Sequence, residues 1–247
     1  MILGDLGFIG RNLALRVDHE HWLINAAGRK DIAWCERFPI KSFEDNAMMP
    51  GKMAAEPNFI HIGSDHAYAM GEPARTIYAR SKHLGDELVL RENPHAAVVV
   101  TGHVYAPDCP WIKWLDKELR GGCRVVAYTN RICCPTWIAD LAQACAFPEK
   151  GKKFVLGRDR VNRYDLFRTY ARVFGYDERL IVPGEEKNPL FIGDSSMLSD
   201  VPTYGIEDGF RAMKAEMEGK NVVSPCVRKT PNPNVEVDGN NLLVVGL

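Results

Sequence analysis

Met1-Ile2-Leu3-Gly4-Asp5-Leu6-Gly7-Phe8-Ile9-Gly10-Arg11-Asn12-Leu13 opens the chain with a short apolar start, three glycines spaced three apart and a helix-like segment. That is the pattern of a strand-to-helix turn. Glycines there let the backbone approach a pyrophosphate, whose charge is met by free N–H groups and the positive end of the helix. On spacing alone, a tight turn with no ligand is an equal reading. Further along, apolar runs rich in β-branched residues recur at Trp22–Ala26, Phe59–Ile62, Ala97–Thr101 and Arg124–Ala127. Helix-like stretches alternate with them: Ala79–Arg91, Ile138–Phe147, Tyr164–Phe174 with Gly175 as a C-cap, and Ile206–Glu218 stopped at Gly219. The alternation predicts an α/β fold with a parallel sheet and helices on both faces. Pro183–Asp200 reads as a loop, and Thr230–Pro233 as a linker before a hairpin over Val235–Val245 that turns at Asp238-Gly239.

With 247 residues, 46% hydrophobic, one sizeable core is expected. Lysine plus arginine (31) nearly cancels aspartate plus glutamate (32), and no basic block runs along the chain. Nucleic acid and anionic membranes are therefore excluded as expected partners, and a small polar ligand fits better. Seven cysteines without a CxxC pair predict reduced, structural thiols, and no apolar stretch has the length of a membrane span. A cytoplasmic protein is expected. His19-Glu20-His21 lacks a third ligand at useful spacing, so no metal site is expected.

Tyr78-Ala79-Arg80-Ser81-Lys82 places a phenol and an ammonium four residues apart, on one helical face. A lysine beside a tyrosine favours the phenolate, lowering a pKa of about 10 towards working pH, so the pair can act as a general acid or base. Ser64, after Phe59-Ile60-His61-Ile62, is placed to hold a carbonyl or alcohol beside that phenol. Alone, such a spacing also occurs on solvated helix faces.

These motifs together resemble the extended short-chain dehydrogenases/reductases of the NAD-dependent epimerase/dehydratase superfamily. Gly7-Phe8-Ile9-Gly10 is similar to that family's glycine turn, and Ile24-Asn25-Ala26-Ala27-Gly28 to its "INAAA" strand. Gly63-Ser64-Asp65-His66-Ala67-Tyr68 resembles its "STDYVF" strand end, and Val104-Tyr105-Ala106-Pro107 its "VYGP" segment. Pro135-Thr136-Trp137-Ile138-Ala139-Asp140-Leu141-Ala142 resembles "PTYVDDLA". The layout is most like that of dTDP-4-dehydrorhamnose reductase-like members. The resemblance implies a Rossmann-like sheet and a triad of Ser64, Tyr78 and Lys82. It implies NAD or NADP contacted by Gly4, Leu6, Gly7, Phe8, Ile9, Gly10, Asn25, Ala26, Ala27 and Gly28, with Tyr78 and Lys82. Asp65, His66, Val104 and Tyr105 would meet a nucleotide-sugar substrate. The implied reaction is reduction of a 4-keto-6-deoxysugar by a homodimer, with nucleotide-sugar epimerase or dehydratase chemistry as an alternative. A non-catalytic, dehydrogenase-like binding or regulatory subunit is the alternative of another class. Only fifteen positions separate Gly10 from Asn25, where the family inserts two further strands. The second of these ends in the residue that reads the adenosine ribose, so NAD and NADP cannot be told apart. The expected organisation is a dinucleotide-binding core over 1–150, a small C-terminal substrate lobe over 151–219 interleaved with it, and an extension over 220–247.

Overall fold

In the computed structural model, residues 1–18, 21–69 and 76–220 are described. The chain runs β1 (Ile2–Leu3), α1 (Phe8–Ala14), β2 (Leu23–Asn25), α2 (Ile32–Arg37), α3 (Pro39–Phe43), a π-helical turn (Glu44–Met48) and α4 (Met49–Met53). It continues through β3 (Phe59–Ser64), α5 (Ile77–Glu92), β4 (Ala97–Thr101), α6 (Pro110–Arg120), β5 (Val125–Tyr128), β6 (Ile132–Cys133) and α7 (Ile138–Ala146). The last elements are β7 (Gly151–Phe154), β8 (Val161–Asn162), α8 (Arg163–Phe174), β9 (Ile181–Gly184) and α9 (Ile206–Met217). The hairpin expected over Val235–Val245 lies outside the described residues, as do His19 and Glu20. No helix among the described residues is long and apolar enough to cross a membrane.

The main sheet is parallel, in the order β1-β2-β3-β4-β7. Ile2, Ile24, Ile60 and Ala97 stand in one row across it. They join Ile62 and Val99 in a core with Leu13 of α1, Ile138 and Leu141 of α7, and Phe210 and Met213 of α9. On the opposite face, Phe59, Val98 and Val100 pack with Ala54 and Val89 of α5. Because both faces are covered, β4 is buried at every position and reads as an unbroken apolar run. Each fully buried valine, leucine or isoleucine contributes about 1.5–3 kcal/mol, so this two-sided core is the main source of stability.

The missing strands leave a topological mark. The β2–β3 and β3–β4 connections run through α2–α4 and α5, which pack together on the Phe59 face. The β1–β2 connection instead runs through α1, which packs on α7 at the other face, although the strands advance in the same direction. It therefore has the opposite hand. With the general right-handed rule applied to the first two connections, β1-α1-β2 is a left-handed crossover. A seven-residue α1 makes so short a connection possible.

Arg124–Ala127 does not join the main sheet as expected. It forms β5, paired with β9 in a separate two-stranded sheet, and Val126 faces solvent while Val125 and Ala127 are buried. The fifth main strand is β7, whose sequence Gly151-Lys152-Lys153-Phe154 is partly buried throughout. Lysines there fit an edge strand.

Helix α5 approaches the π-helical turn at Gly85, where a Cβ would lie 2.1 Å from the Asn46 carbonyl oxygen. Alanine would gain up to about 1 kcal/mol of helix propensity. Overpacking against backbone costs about 1–3 kcal/mol, and it wins. Gly85→Ala is expected to lower the urea midpoint at unchanged m-value; a more stable variant would show that the turn yields freely.

Candidate active site

The C-terminal ends of β1, β2 and β3 lie side by side and carry most of the expected site. Gly4 has φ +78°, and a Cβ on it would lie 2.8 Å from the Ala27 nitrogen. A Cβ on Gly10 would lie 2.2 Å from the Gly4 carbonyl oxygen. These two glycines let α1 come down on the strand ends. Gly7 serves a different purpose. It begins α1 without a side-chain cap, and a Cβ on it would meet only the Gly4 oxygen, at 3.1 Å. Leu6 projects into solvent, Phe8 and Ile9 pack against the core, and of the three glycines Gly7 is the exposed one while Gly10 is buried. Asn25 accepts from the Ala27 N–H through Oδ1, at 3.1 Å.

The loop after Gly28 is clamped from the π-helical turn. Asn46 accepts from the Arg29 N–H at 2.7 Å and donates to the Arg29 carbonyl at 3.0 Å. The Arg29 guanidinium lies 4.3 Å from the Trp34 ring centroid, a cation–π contact.

Tyr78 donates to Ser64 Oγ at 3.1 Å, which closes the gap between β3 and α5. Thr76 caps α5 by accepting from the Ala79 N–H at 3.1 Å, and Glu36 accepts from the Ile77 N–H at 2.6 Å. Lys82, one turn beyond Tyr78, is buried and donates to the Ile62 carbonyl at 2.7 Å. The expected lowering of the phenol's pKa is not found. Burial pushes the Tyr78 phenol up to about 12, against the opposing hydrogen bond with Ser64 and with the Asp65 carboxylate adding to the rise.

Asp65 is pinned and not free to meet a substrate. Its Oδ2 accepts from Ser195 at 2.8 Å and its Oδ1 from the His66 N–H at 2.9 Å. Gly102 makes room for it, since a Cβ there would sit 2.2 Å from the carboxyl carbon. The His66 ring stands edge-on to Tyr78 at 5.8 Å, and its Nδ1 is buried without a hydrogen-bond partner among the described residues. Val104 and Tyr105 are corrected from substrate contacts to core residues. Tyr105 is fully buried between Trp137 and Phe210, and its hydroxyl fills the space left by Gly209.

Two groups were not foreseen. His61, Asp86 and Tyr68 surround Lys82 beneath the Ser64–Tyr78 pair. His103, at φ 41°, stacks on Trp111 at 5.2 Å, and its Nδ1 lies 3.3 Å from Arg163 Nη2. Burial holds the Arg163 and Arg131 guanidinium pKa values below the usual arginine range. Among the described residues no carboxylate pairs with Arg163, and Arg131 reaches Glu186 only at 3.9 Å. Burial also pushes the Cys133 thiol up to about 12, consistent with an inert thiol. No group of histidine, cysteine or acidic residues among the described residues is arranged to hold a metal ion.

No family model matches the chain. A dTDP-4-dehydrorhamnose reductase of Mycobacterium tuberculosis is 28% identical over 149 residues, covering 52% of this chain and 49% of that protein. The chain thus spans about half the length of that curated relative. Among solved structures, a dTDP-4-dehydrorhamnose reductase from Clostridium acetobutylicum superposes with a TM-score of 0.75 at 16% identity, over 88% of this chain and 98% of that one. The Bacillus anthracis dTDP-4-dehydrorhamnose reductase in complex with NADP superposes with a TM-score of 0.71 at 15% identity, over 79% and 80%. The parallel sheet and its helices are the Rossmann fold of these reductases.

The glycine turn separates folding from ligand approach. Gly10→Ala is expected to cost about 1–3 kcal/mol of stability, because the Gly4 carbonyl blocks its Cβ. Gly7→Ala is expected to cost less than about 1 kcal/mol. Urea melts of the two variants check this, and equal losses would refute the assignment of separate roles.

Proposed function

We propose that this relative of the dTDP-4-dehydrorhamnose reductases, in the NAD-dependent epimerase/dehydratase superfamily, is an NAD(P)-dependent oxidoreductase that reduces the 4-keto group of a nucleotide-activated sugar. The observation that carries the reading is the Tyr78–Ser64 hydrogen bond, 3.1 Å, at the end of β3 and beside the glycine turn. The turn and the Asn25–Gly28 backbone fit the pyrophosphate and nicotinamide half of a dinucleotide. Their close glycine packing leaves Gly7 open. No residue among those described takes the place of the ribose reader, because β1 is the edge of the sheet. A nicotinamide dinucleotide supplies the hydride when bound.

The chain's own residues then have distinct tasks. Ser64 Oγ holds the substrate carbonyl beside Tyr78, and Tyr78 delivers the proton to the forming alcohol oxygen. A phenol pushed up to about 12 is protonated at any working pH. That is the form an acid needs in the reductive direction. Arg163 and Arg131 bring positive charge suited to a substrate diphosphate, and His103, held neutral by burial and by these arginines, lies against Arg163. The lobe over 151–219 would supply Arg163 to that surface, with β7 at 151–154 completing the core sheet. Exposed Ile40, Met48 and Met49 support a homodimer. The reading implies a cytoplasmic enzyme. The edge position of β1 favours one other reading, a non-catalytic subunit that binds dinucleotide weakly or not at all.

Turnover with NADPH and a dTDP-4-keto-6-deoxysugar tests the proposal. Tyr78→Phe should keep the fold and lose about a hundredfold or more in kcat. Because the acid form is lost only as pH rises through about 12, the parent's reductive rate should show no Tyr78-dependent fall between about pH 6 and about pH 9. Near-parental activity in Tyr78→Phe would remove Tyr78 from the mechanism.

A further inference from the structure

The lysine expected beside Tyr78 has its own buried surroundings. Its Nζ lies 3.4 Å from His61 Nε2, and His61 Nε2 lies 3.4 Å from Asp86 Oδ1. His61 and Asp86 are both fully buried. Asp86 Oδ2 accepts from the Tyr68 hydroxyl at 2.8 Å. Gly63 makes the space, since a Cβ there would come within 2.9 Å of Asp86 Oδ2. Tyr78, Lys82 and Asp86 therefore follow one another at four-residue steps along the inner face of α5.

The network fixes which groups carry charge. Asn25 Oδ1 is already engaged by the Ala27 N–H, so its Nδ2 faces His61 and donates to Nδ1 at 3.1 Å. His61 then holds its proton on Nε2, so Lys82 donates to the Ile62 carbonyl and not to the ring, and Asp86 Oδ1 is buried without a hydrogen-bond partner among the described residues. Burial, and then the Lys82 ammonium, hold the His61 pKa far below its ordinary value, so the ring is neutral. Burial pulls Lys82 and Asp86 each towards the neutral form, and the charge of each opposes that shift in the other. A buried ammonium is costly without a counter-charge.

We propose that Asp86 is a positioning residue whose carboxylate, beside the neutral His61, provides the buried counter-charge that keeps the Lys82 ammonium seated next to the Ser64–Tyr78 pair. The consequence for catalysis rests on the reading of Ser64, Tyr78 and Lys82 as the working triad; the charge pairing itself does not. The titratable groups of the network are His61 from β3 and Tyr78 and Asp86 from α5, with Tyr68, from the turn after β3, bonded to Asp86 and standing edge-on to His83 at 5.1 Å. Lys152 of β7 lies over the Tyr68 ring at 4.4 Å. Ser42 of α3, Asn46 of the π-helical turn and Ser81 of α5 are neutral.

Asp86→Asn keeps the shape and removes the charge. Burial already lowers the Lys82 pKa, with Asp86 opposing it, and without the carboxylate the value falls further. A lysine with a depressed folded pKa costs stability at low pH, and the cost fades as pH rises towards its unfolded value of about 10.4. The stability deficit of Asp86→Asn should therefore be largest near about pH 7 and shrink by at least about half by about pH 9.5, in urea melts. Asp86→Glu should recover the parent's pH profile. Adding Lys82→Met to Asp86→Asn removes the stranded charge and should restore at least about half of the deficit at about pH 7, or restore folding if the single variant does not fold. A deficit equal at both pH values, or a double variant no better than Asp86→Asn, would overturn the proposal. NADH and NADPH binding by the parent, followed by fluorescence, is a separate readout. If neither binds, the dehydrogenase reading fails while the stability measurements still decide the role of Asp86.

Discussion

The approach of Gly10 to the Gly4 carbonyl, with Gly4 itself lying against Ala27, is the constraint on which the rest of this fold depends. Side chains at those positions would lift α1 away from the strand ends. The chain then could not return from β1 to β2 in the fifteen positions between Gly10 and Asn25. Because α1 stays low and short, β1 pairs directly with β2, and the row Ile2–Ile24–Ile60–Ala97 stays continuous. The cost of this economy is topological. The helix occupies the α7 face, and its crossover has the uncommon hand.

The same compactness shapes the electrostatics. One strand, the turn after it and one helix bring Ser64, Asp65, Tyr78, Lys82, Asp86 and His61 into a small, largely dry volume. There, desolvation outweighs the neighbouring charges: it raises the pKa values of Tyr78 and Asp86 and lowers those of Lys82 and His61. Each shift favours the neutral form. The charges that persist do so because a partner is fixed nearby, which is why Asp65 is held by Ser195 and by the His66 N–H. A site built this way presents hydroxyl groups, not free carboxylates, to whatever binds above it.

Much of the arrangement was legible in the sequence, and for identifiable reasons. The strand over Ala97–Thr101 was read with its bounds intact because both of its faces are buried, leaving no polar alternation to blur it. Ser64 and Tyr78 were found because a serine at a strand end and a tyrosine four residues before a lysine make a local pattern. Gly175, at φ +82°, ends α8 as its position suggested. Helices α2 to α4 were missed because Pro39 and Pro50, which each start a new helix, look like breaks in a single-sequence reading. Strand β7 was missed because two lysines sit in its centre. Tyr105 was misplaced because a motif gives a residue's position along the chain and not the side to which its ring turns.

His61 and Asp86 escaped notice for a related reason. Nothing about a histidine inside an apolar strand, or an aspartate one turn beyond a lysine, distinguishes a buried pair from a solvated one. The distinction comes from Gly63, whose missing side chain opens β3 to the α5 carboxylate. Phe59, His61 and Gly63 share the α5 face of β3, and their shrinking size leaves room for α5 side chains towards the strand's C-terminal end. There Lys82 reaches the Ile62 carbonyl and Tyr78 reaches Ser64. The size gradient along one strand face thus sets both the depth of the ammonium and the height of the phenol, and the two cannot be adjusted independently.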